Sequence, residues 1–280
     1  MSVEDIRTEL DAATARWRLV AEREPVDTLN GCVMFVRRGA ERLVLKIVGA
    51  ASDEMQALPA YAHFAERGAV RLLAQAGRAL LLERIDPGHA LTQRVIDGDD
   101  DGATAILCDV MASLHRAAPP PAGLARVEDF STDFDRYRAS GGPLPAALVD
   151  RAAAVFSDLC HSQGPRVVLH GDLHHDNVLL DVRRGWLAID PKGLIGERAY
   201  ECGALLRNPT EDVSRFADPA IIDRRVRIIC ERLGLDRARV LGWCFAQAVL
   251  SAVWAAQDGG VDQRGIVTAE ATLPVLRRVG

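Results

Sequence analysis

Val167-Val168-Leu169-His170-Gly171-Asp172-Leu173-His174-His175-Asp176-Asn177-Val178-Leu179-Leu180-Asp181 decides the fold, and Gly185-Trp186-Leu187-Ala188-Ile189-Asp190-Pro191-Lys192-Gly193 completes the reading. Val167–Leu169, Val178–Asp181 and Trp186–Ile189 are short β-type runs, and a polar loop separates the first two. A strand ends in the loop, the chain returns through a second strand, and a hairpin leads to another acid. That ribbon brings Asp172, Asn177 and Asp190 to one end.

The chemistry of this set is specific. A carboxylate can accept or orient the proton of an attacking hydroxyl, and hard oxygen ligands can hold magnesium against nucleotide phosphates. An acid, an amide five residues later and a second acid eighteen residues on has the spacing of kinase catalytic and metal-binding loops.

Outward from this island the texture divides. On the N-terminal side, Arg16–Arg23, Cys32–Arg38 and Arg42–Val48 read as strands, with turn chemistry at Asn30-Gly31 and Arg38-Gly39. Ser52 then caps a helix whose first turn carries Asp53 and Glu54 and whose apolar positions are 55, 58, 61, 62 and 65. Two more strands, Val70–Ala74 and Ala79–Glu83, flank Gly77. From Thr92 onward the chain is mostly helical, with helices expected over Asp100–Ala117, Ala146–Ser162, Asp223–Leu233, Arg237–Gln257 and Ile266–Val279. The expected fold is α+β: a small antiparallel β lobe with one helix over residues 1–83, and a larger, mainly helical lobe over 84–280.

Composition narrows the partners. The 280 residues carry a net charge of −5, so no basic footprint for nucleic acid or an anionic membrane is present. The six cysteines are scattered without a Cys-x-x-Cys pair, which points to buried free thiols in a reducing cytoplasm. The N-terminus is acidic and lacks the apolar run of a secretory signal. The most apolar late segment, Cys244–Ala256, is too short and interrupted to span a bilayer.

His170 to Asn177 resembles the catalytic loop of aminoglycoside and choline kinases, a branch of the protein-kinase-like fold. Trp186 to Glu197 is narrower: it resembles the streptomycin 6-phosphotransferase and hydroxyurea-resistance kinase branch, where Asp-Pro replaces Asp-Phe-Gly. Gly68–Leu73 and Leu80–Arg84 resemble the same branch. The resemblance implies that Asp172 is the catalytic base and that Asn177 and Asp190 are magnesium ligands. It implies that Lys46 grips the nucleotide phosphates with Glu54 as its ion-pair partner, and that Glu83, Arg84 and Ile85 form the hinge against the purine. Glu201 would brace the catalytic loop. The implied cofactors are ATP, or GTP, with Mg2+. The implied acceptor is a hydroxyl of a small cationic molecule, an aminoglycoside such as streptomycin at its 6-hydroxyl, faced by Asp176 and Glu197. Further acids at Asp258, Asp262 and Glu270 on the C-terminal helices could serve the same cation. The chain departs from the wider pattern in lacking a Gly-x-Gly-x-x-Gly cover and an Ala-Pro-Glu segment, so activation-loop control is not expected.

Two other chemistries compete for the same residues. His170, His174, His175 and Asp176 could be ligands of a metal-dependent hydrolase, but no histidine follows His175 and no His-Glu-x-x-His occurs. A serine hydrolase fails because Gly-x-Ser-x-Gly is absent. Two alternatives lie closer: a kinase of another sugar or amino alcohol, and a non-catalytic nucleotide-binding relative. The second would not need Asp172, Asn177, Asp190 and Lys46 together.

Overall fold

The computed structural model describes residues 3–28, 30–50, 52, 54–116, 118–209 and 218–278; Asp53 lies outside them. The N-terminal region contains α1 (Val3–Trp17), β1 (Val20–Ala21), β2 (Val26–Thr28), β3 (Gly31–Arg38) and β4 (Glu41–Val48). A 3-10 turn at Glu54–Ala57 then leads to α2 (Leu58–Phe64), β5 (Leu72–Ala76) and β6 (Ala79–Glu83). The strands form one antiparallel sheet in the order β1-β3-β4-β6-β5, with β2 also paired to β3.

Strand β4 shows why this sheet positions a functional group. Its side chains alternate between faces. Leu43, Leu45 and Ile47 pack on one face with Cys32, Met34, Val36 and Leu81. Val44 and Val48 pack on the other with Tyr61, Leu80, Leu82 and Leu187. Lys46 shares the parity of Val44 and Val48, so it points into the second face, towards the ribbon that carries the polar loop.

Helix α1 covers the first face and was not expected, since Arg16–Arg23 reads as a strand. Ile6, Leu10, Ala13 and Trp17 recur at helical intervals and pack against the β3–β4–β6 face. Of the expected strand only Val20–Ala21 pairs in the sheet. Four apolar residues spread among charged ones make a weak local signal, and the sheet they cover supplies the rest.

The remaining chain folds as β7 (Pro87–Ala90), α3 (Thr92–Ile96), α4 (Asp100–Leu114), β8 (Ala125–Arg126), α5 (Ser131–Ser140), α6 (Ala146–His161) and β9 (Arg166–Leu169). After these come β10 (Val178–Asp181), β11 (Gly185–Ala188), β12 (Leu194–Glu197), α7 (Cys202–Leu206), α8 (Pro219–Leu233), α9 (Arg237–Gln257) and α10 (Gln263–Leu276). Strands β11, β10 and β7 form one small sheet, and β8, β12 and β9 another. The polar loop joins the two, with β9 entering and β10 leaving. The short pieces β7, β8, β12, α3, α5 and α7 are absent from the sequence reading. Their pairing is long-range, as in Leu180 opposite His89, and few of their residues carry a periodic pattern.

Helix α9 is the centre of the helical region. Trp243, Phe245, Val249 and Leu250 are fully buried, and each such side chain contributes about 1.5–3 kcal/mol. Among the described residues it is the one helix long and apolar enough to cross a membrane. Its most apolar window is 72% buried against its neighbours, the pattern of a core helix.

Candidate active site

Local backbone bonds bring the three polar residues of the motif together. Asn177 lies in a 3-10 turn, His175–Asn177, and its side-chain amide donates to the Asp172 carbonyl at 2.9 Å. The Ile189 amide donates to the Asn177 carbonyl at 2.9 Å, which ties the residue before Asp190 to the same loop. Asp190 itself has φ +55, a left-handed conformation that aspartate tolerates better than most residues. Gly171 has φ +85, and a Cβ there would lie 3.0 Å from Leu194 and 3.2 Å from Lys192, so any larger residue before Asp172 would be strained.

His170 and Glu201 hold this loop from beneath. The wholly buried His170 ring bonds the Ile189 carbonyl through Nε2 at 2.8 Å and accepts from the Asp172 amide at Nδ1, 3.3 Å away. Burial keeps this imidazole neutral by lowering its pKa. Glu201 accepts the His170 amide at 2.6 Å and the Gly171 amide at 2.9 Å, and His115 Nε2 lies 3.3 Å from the same carboxylate. Burial would raise the Glu201 carboxyl, but the His115 bond and these amides outweigh it and lower it. A buried carboxylate with this many donors is a rigid brace.

Asp172 faces the open side, its side chain 26% exposed, with Lys192 Nζ 3.6 Å away. Burial by itself would raise its pKa. The charge of Lys192, with His174 and Arg207 behind it, holds the carboxyl down to about 2.

Lys46 lies across the cleft. Its ammonium is 2.8 Å from Glu54 and 3.0 Å from Asp190, with only 4% of the side chain exposed. Burial would pull its pKa down, yet the two carboxylates raise it above the ordinary lysine value. Tyr61 of α2 is buried beside the same carboxylates, and its hydroxyl is pushed well up by burial and by Asp190 and Glu54. Glu54 stands in the 3-10 turn before α2, where its amide donates to the Ser52 hydroxyl at 3.2 Å.

Between these groups runs a cleft of about 240 Å³. Val33, Val44, Leu179 and Ile189 line its walls, Lys46 and Asp190 stand at one end, and Glu83, Arg84 and Ile85 at another. The Glu83 carboxylate is engaged by Arg71 at 2.8 Å and Arg184 at 2.5 Å, so its side chain ties β6 to β5 and to the β10–β11 turn. Arg23 and Arg84 stack over the Phe35 ring at 3.6 and 4.7 Å at the cleft margin.

Some expected residues are not in this constellation. Glu197 is buried, and its carboxylate accepts from Arg239 Nε at 3.1 Å and from the Trp243 indole. It fastens β12 to α9 and has no free oxygen for an acceptor, so its expected contact with substrate is withdrawn. Asp262 is likewise buried and accepts from Ser251 at 2.7 Å, whereas Asp258 and Glu270 are exposed. Asp176 stays at the edge, 39% exposed, held by the Thr92 hydroxyl and 3.5 Å from His174 Nδ1.

The hydrolase reading also loses its ligands. Both His170 nitrogens are engaged, and among the described residues no three His, Cys, Asp or Glu side chains are placed to hold a metal ion. Tyr61, His115 and Lys192 were missed by the sequence reading. Of these only Lys192 had a local signal, its place two residues after Asp190.

A small antiparallel sheet and a helical region, with Lys46 and Asp190 lining a cleft and Asp172 and Asn177 on the adjoining loop, define the protein-kinase-like class of phosphotransferases. The crystal structure of aminoglycoside phosphotransferase APH(4)-Ia superposes with a TM-score of 0.68 at 15% identity, covering 98% of this chain and 99% of that one. The chain belongs to the aminoglycoside/hydroxyurea antibiotic resistance kinase family, whose model matches residues 16–259. It is 37% identical over 254 residues to the streptomycin 3''-kinase of Klebsiella pneumoniae, covering 87% of this chain and 91% of that protein. It is 31% identical over 267 residues to the streptomycin 6-kinase of Streptomyces glaucescens, covering 91% of this chain and 85% of that protein.

Proposed function

We propose that the chain moves the γ-phosphoryl group of ATP to a hydroxyl of an aminoglycoside, with streptomycin as the leading acceptor, and so inactivates the drug in the cytoplasm. The observation that carries this reading is the pairing of Lys46 with both Glu54 and Asp190 at the end of the cleft. In this reading residues 1–83 clamp the nucleotide from above and residues 84–280 supply the catalytic loop and the acceptor site.

The purine enters between Val44 and Leu179 and meets the backbone of Glu83–Ile85, while Lys46 holds the phosphates. Magnesium suits the remaining donors. Asp190 offers a carboxylate 38% exposed, and Asn177 turns its NH2 to the Asp172 carbonyl, which leaves its amide oxygen as the group that can serve as a ligand. Two hard oxygens are too few for a dedicated cage, as expected for a cation that arrives with phosphates and keeps its waters. When bound, the metal would neutralise phosphate charge. Asp172, kept ionised by its depressed pKa, accepts the hydrogen bond of the attacking hydroxyl and takes its proton as the new O–P bond forms.

A dicationic acceptor calls for carboxylates near the loop, and Asp176 is the one the site leaves available. The relatives include both 3''- and 6-kinases of streptomycin, so the hydroxyl modified is the finer question. The purified enzyme should consume ATP with streptomycin, and product NMR should locate the new phosphate; the Asp190-Pro191-Lys192-Gly193 resemblance favours the 6-hydroxyl. GTP is to be run in parallel. Turnover only with a neutral polyol or amino alcohol would keep the kinase and remove the resistance role. Nucleotide binding without turnover on any acceptor would leave only a binding protein.

A further inference from the structure

Lys192 stands apart from the other basic residues in two ways. The first is compositional. Of 34 lysines and arginines in the chain, the only lysines are Lys46 and Lys192; every other basic side chain is arginine. Both lysines contact acids of the candidate site. A compact ammonium differs from a planar guanidinium in being a point charge with three rotatable donors, suited to following one oxygen as it moves.

The second is geometric. The backbone under Lys192 is fixed: its amide and that of Gly193 both donate to the His170 carbonyl, at 2.8 and 3.1 Å. Gly193 has φ +69, and a Cβ there would lie 2.6 Å from Ala60 of α2, so the turn is pressed against the opposite wall. The side chain above that turn is not fixed. It is 40% exposed and stops 3.6 Å short of Asp172, beyond hydrogen-bond range.

Position then assigns the task. Lys192 follows the acid Asp190 by two residues and reaches the acid Asp172, so it bridges the nucleotide end of the site and the acceptor end. A phosphoryl group in transit must cross that interval. Residues 171–177 carry no lysine or arginine, and Lys46 is already balanced by two carboxylates.

We propose that Lys192 is a catalytic residue whose ammonium contacts the phosphoryl group during transfer. This rests on the phosphotransfer reading and names one more group within it. In the step, the acceptor O–H bond breaks and its proton passes to Asp172. The acceptor oxygen forms the new O–P bond. The bridging P–O bond breaks, and its electron pair leaves with ADP. Lys192 gains and loses no proton; it turns from Asp172 to the equatorial oxygens as charge gathers there.

The test compares wild type, Lys192→Met and Lys192→Arg. ADP affinity should stay within about twofold in all three, while kcat with streptomycin should fall about 10²- to 10³-fold in Lys192→Met. Lys192→Arg should recover only part of it. Calorimetric affinity for ADP with aluminium fluoride, a mimic of the planar phosphoryl, should fall in Lys192→Met by a comparable factor. Unimpaired kcat in Lys192→Met, or equal losses for ADP and for ADP with aluminium fluoride, would overturn the assignment. If the wild type turns over no acceptor, the phosphotransfer reading fails and this inference with it. An active wild type beside an equally active variant sinks this inference alone.

Discussion

The two lysines mark two regions of the cleft built to opposite specifications. Around Lys46 the contacts are tight: the ammonium is buried and held by Glu54 and Asp190, with the buried Tyr61 beside the same carboxylates. Around Asp172 the backbone is equally rigid, but the reacting side chains are partly exposed and the Lys192 contact is loose. A buried ion pair is costly to form and hard to break, so it suits a group that must wait in one place for phosphates. A half-exposed pair contributes little and opens easily, which suits groups whose partners change as the reaction proceeds. Binding and chemistry are thereby separable by mutation.

The largest separation is expected at Asp172. Asp172→Asn should lower kcat by about 10³-fold or more while nucleotide affinity stays nearly constant, since the base touches the acceptor and not the nucleotide. Single-turnover kinetics beside calorimetry decides this, and wild-type turnover would remove Asp172 from the chemistry. The carboxyl is depressed to about 2 from an ordinary value of about 3.9, so the sign of its pH effect is fixed. The stability it contributes is present above that ordinary value and is lost as pH falls towards 2. The acid limb of kcat/KM due to this base should lie below about pH 3.

Lys46→Met should show the opposite pattern. It leaves Glu54 and Asp190 facing each other without their cation, so nucleotide affinity should fall about 10- to 100-fold. Stability should fall by about 2 kcal/mol, less than for a fully buried pair because Asp190 is partly solvated. Thermal melts with and without nucleotide measure both effects. A variant that binds nucleotide normally would detach Lys46 from the phosphates.

Glu201→Gln tests whether the brace matters to the chemistry above it. An amide cannot accept from the His170 and Gly171 amides with both of its ends, so one buried donor is left unmatched. The expected loss is about 1–3 kcal/mol of stability and about tenfold in kcat, with nucleotide affinity retained. Unchanged kcat in a destabilised variant would reduce Glu201 to a purely structural role.

The smallest functional effect is expected at Glu197. Glu197→Gln should weaken the fastening of β12 to α9 by about 1–2 kcal/mol while leaving the KM of acceptor and nucleotide within about twofold. A selective rise in acceptor KM would return Glu197 to the acceptor site.

Where geometry is local, it can be read from the chain alone. Asp172, Asn177 and Asp190 were legible because a loop and a hairpin of fixed period bring them together whatever surrounds them, and the antiparallel run from Gly31 to Glu83 was legible from alternation and turns. Glu54 stood in a helix first turn, where a solvated acid fits as well as an ion pair. Only the approach of Lys46 from the neighbouring strand distinguishes them. Glu197 and Asp176 looked alike as acids near the motif. The difference between them comes from Arg239 and Trp243, 42 and 46 residues further on, which reach Glu197 and not Asp176. Helix α1 gained its place from the sheet it covers. Lys192 was visible as a letter two after Asp190, yet it reaches Asp172 only because the β9–β12 pairing and the His170 carbonyl turn the chain back over the loop. Local periodicity is carried by neighbours in the chain, whereas the partner of a charge is chosen by packing, and packing joins residues that no sequence spacing relates.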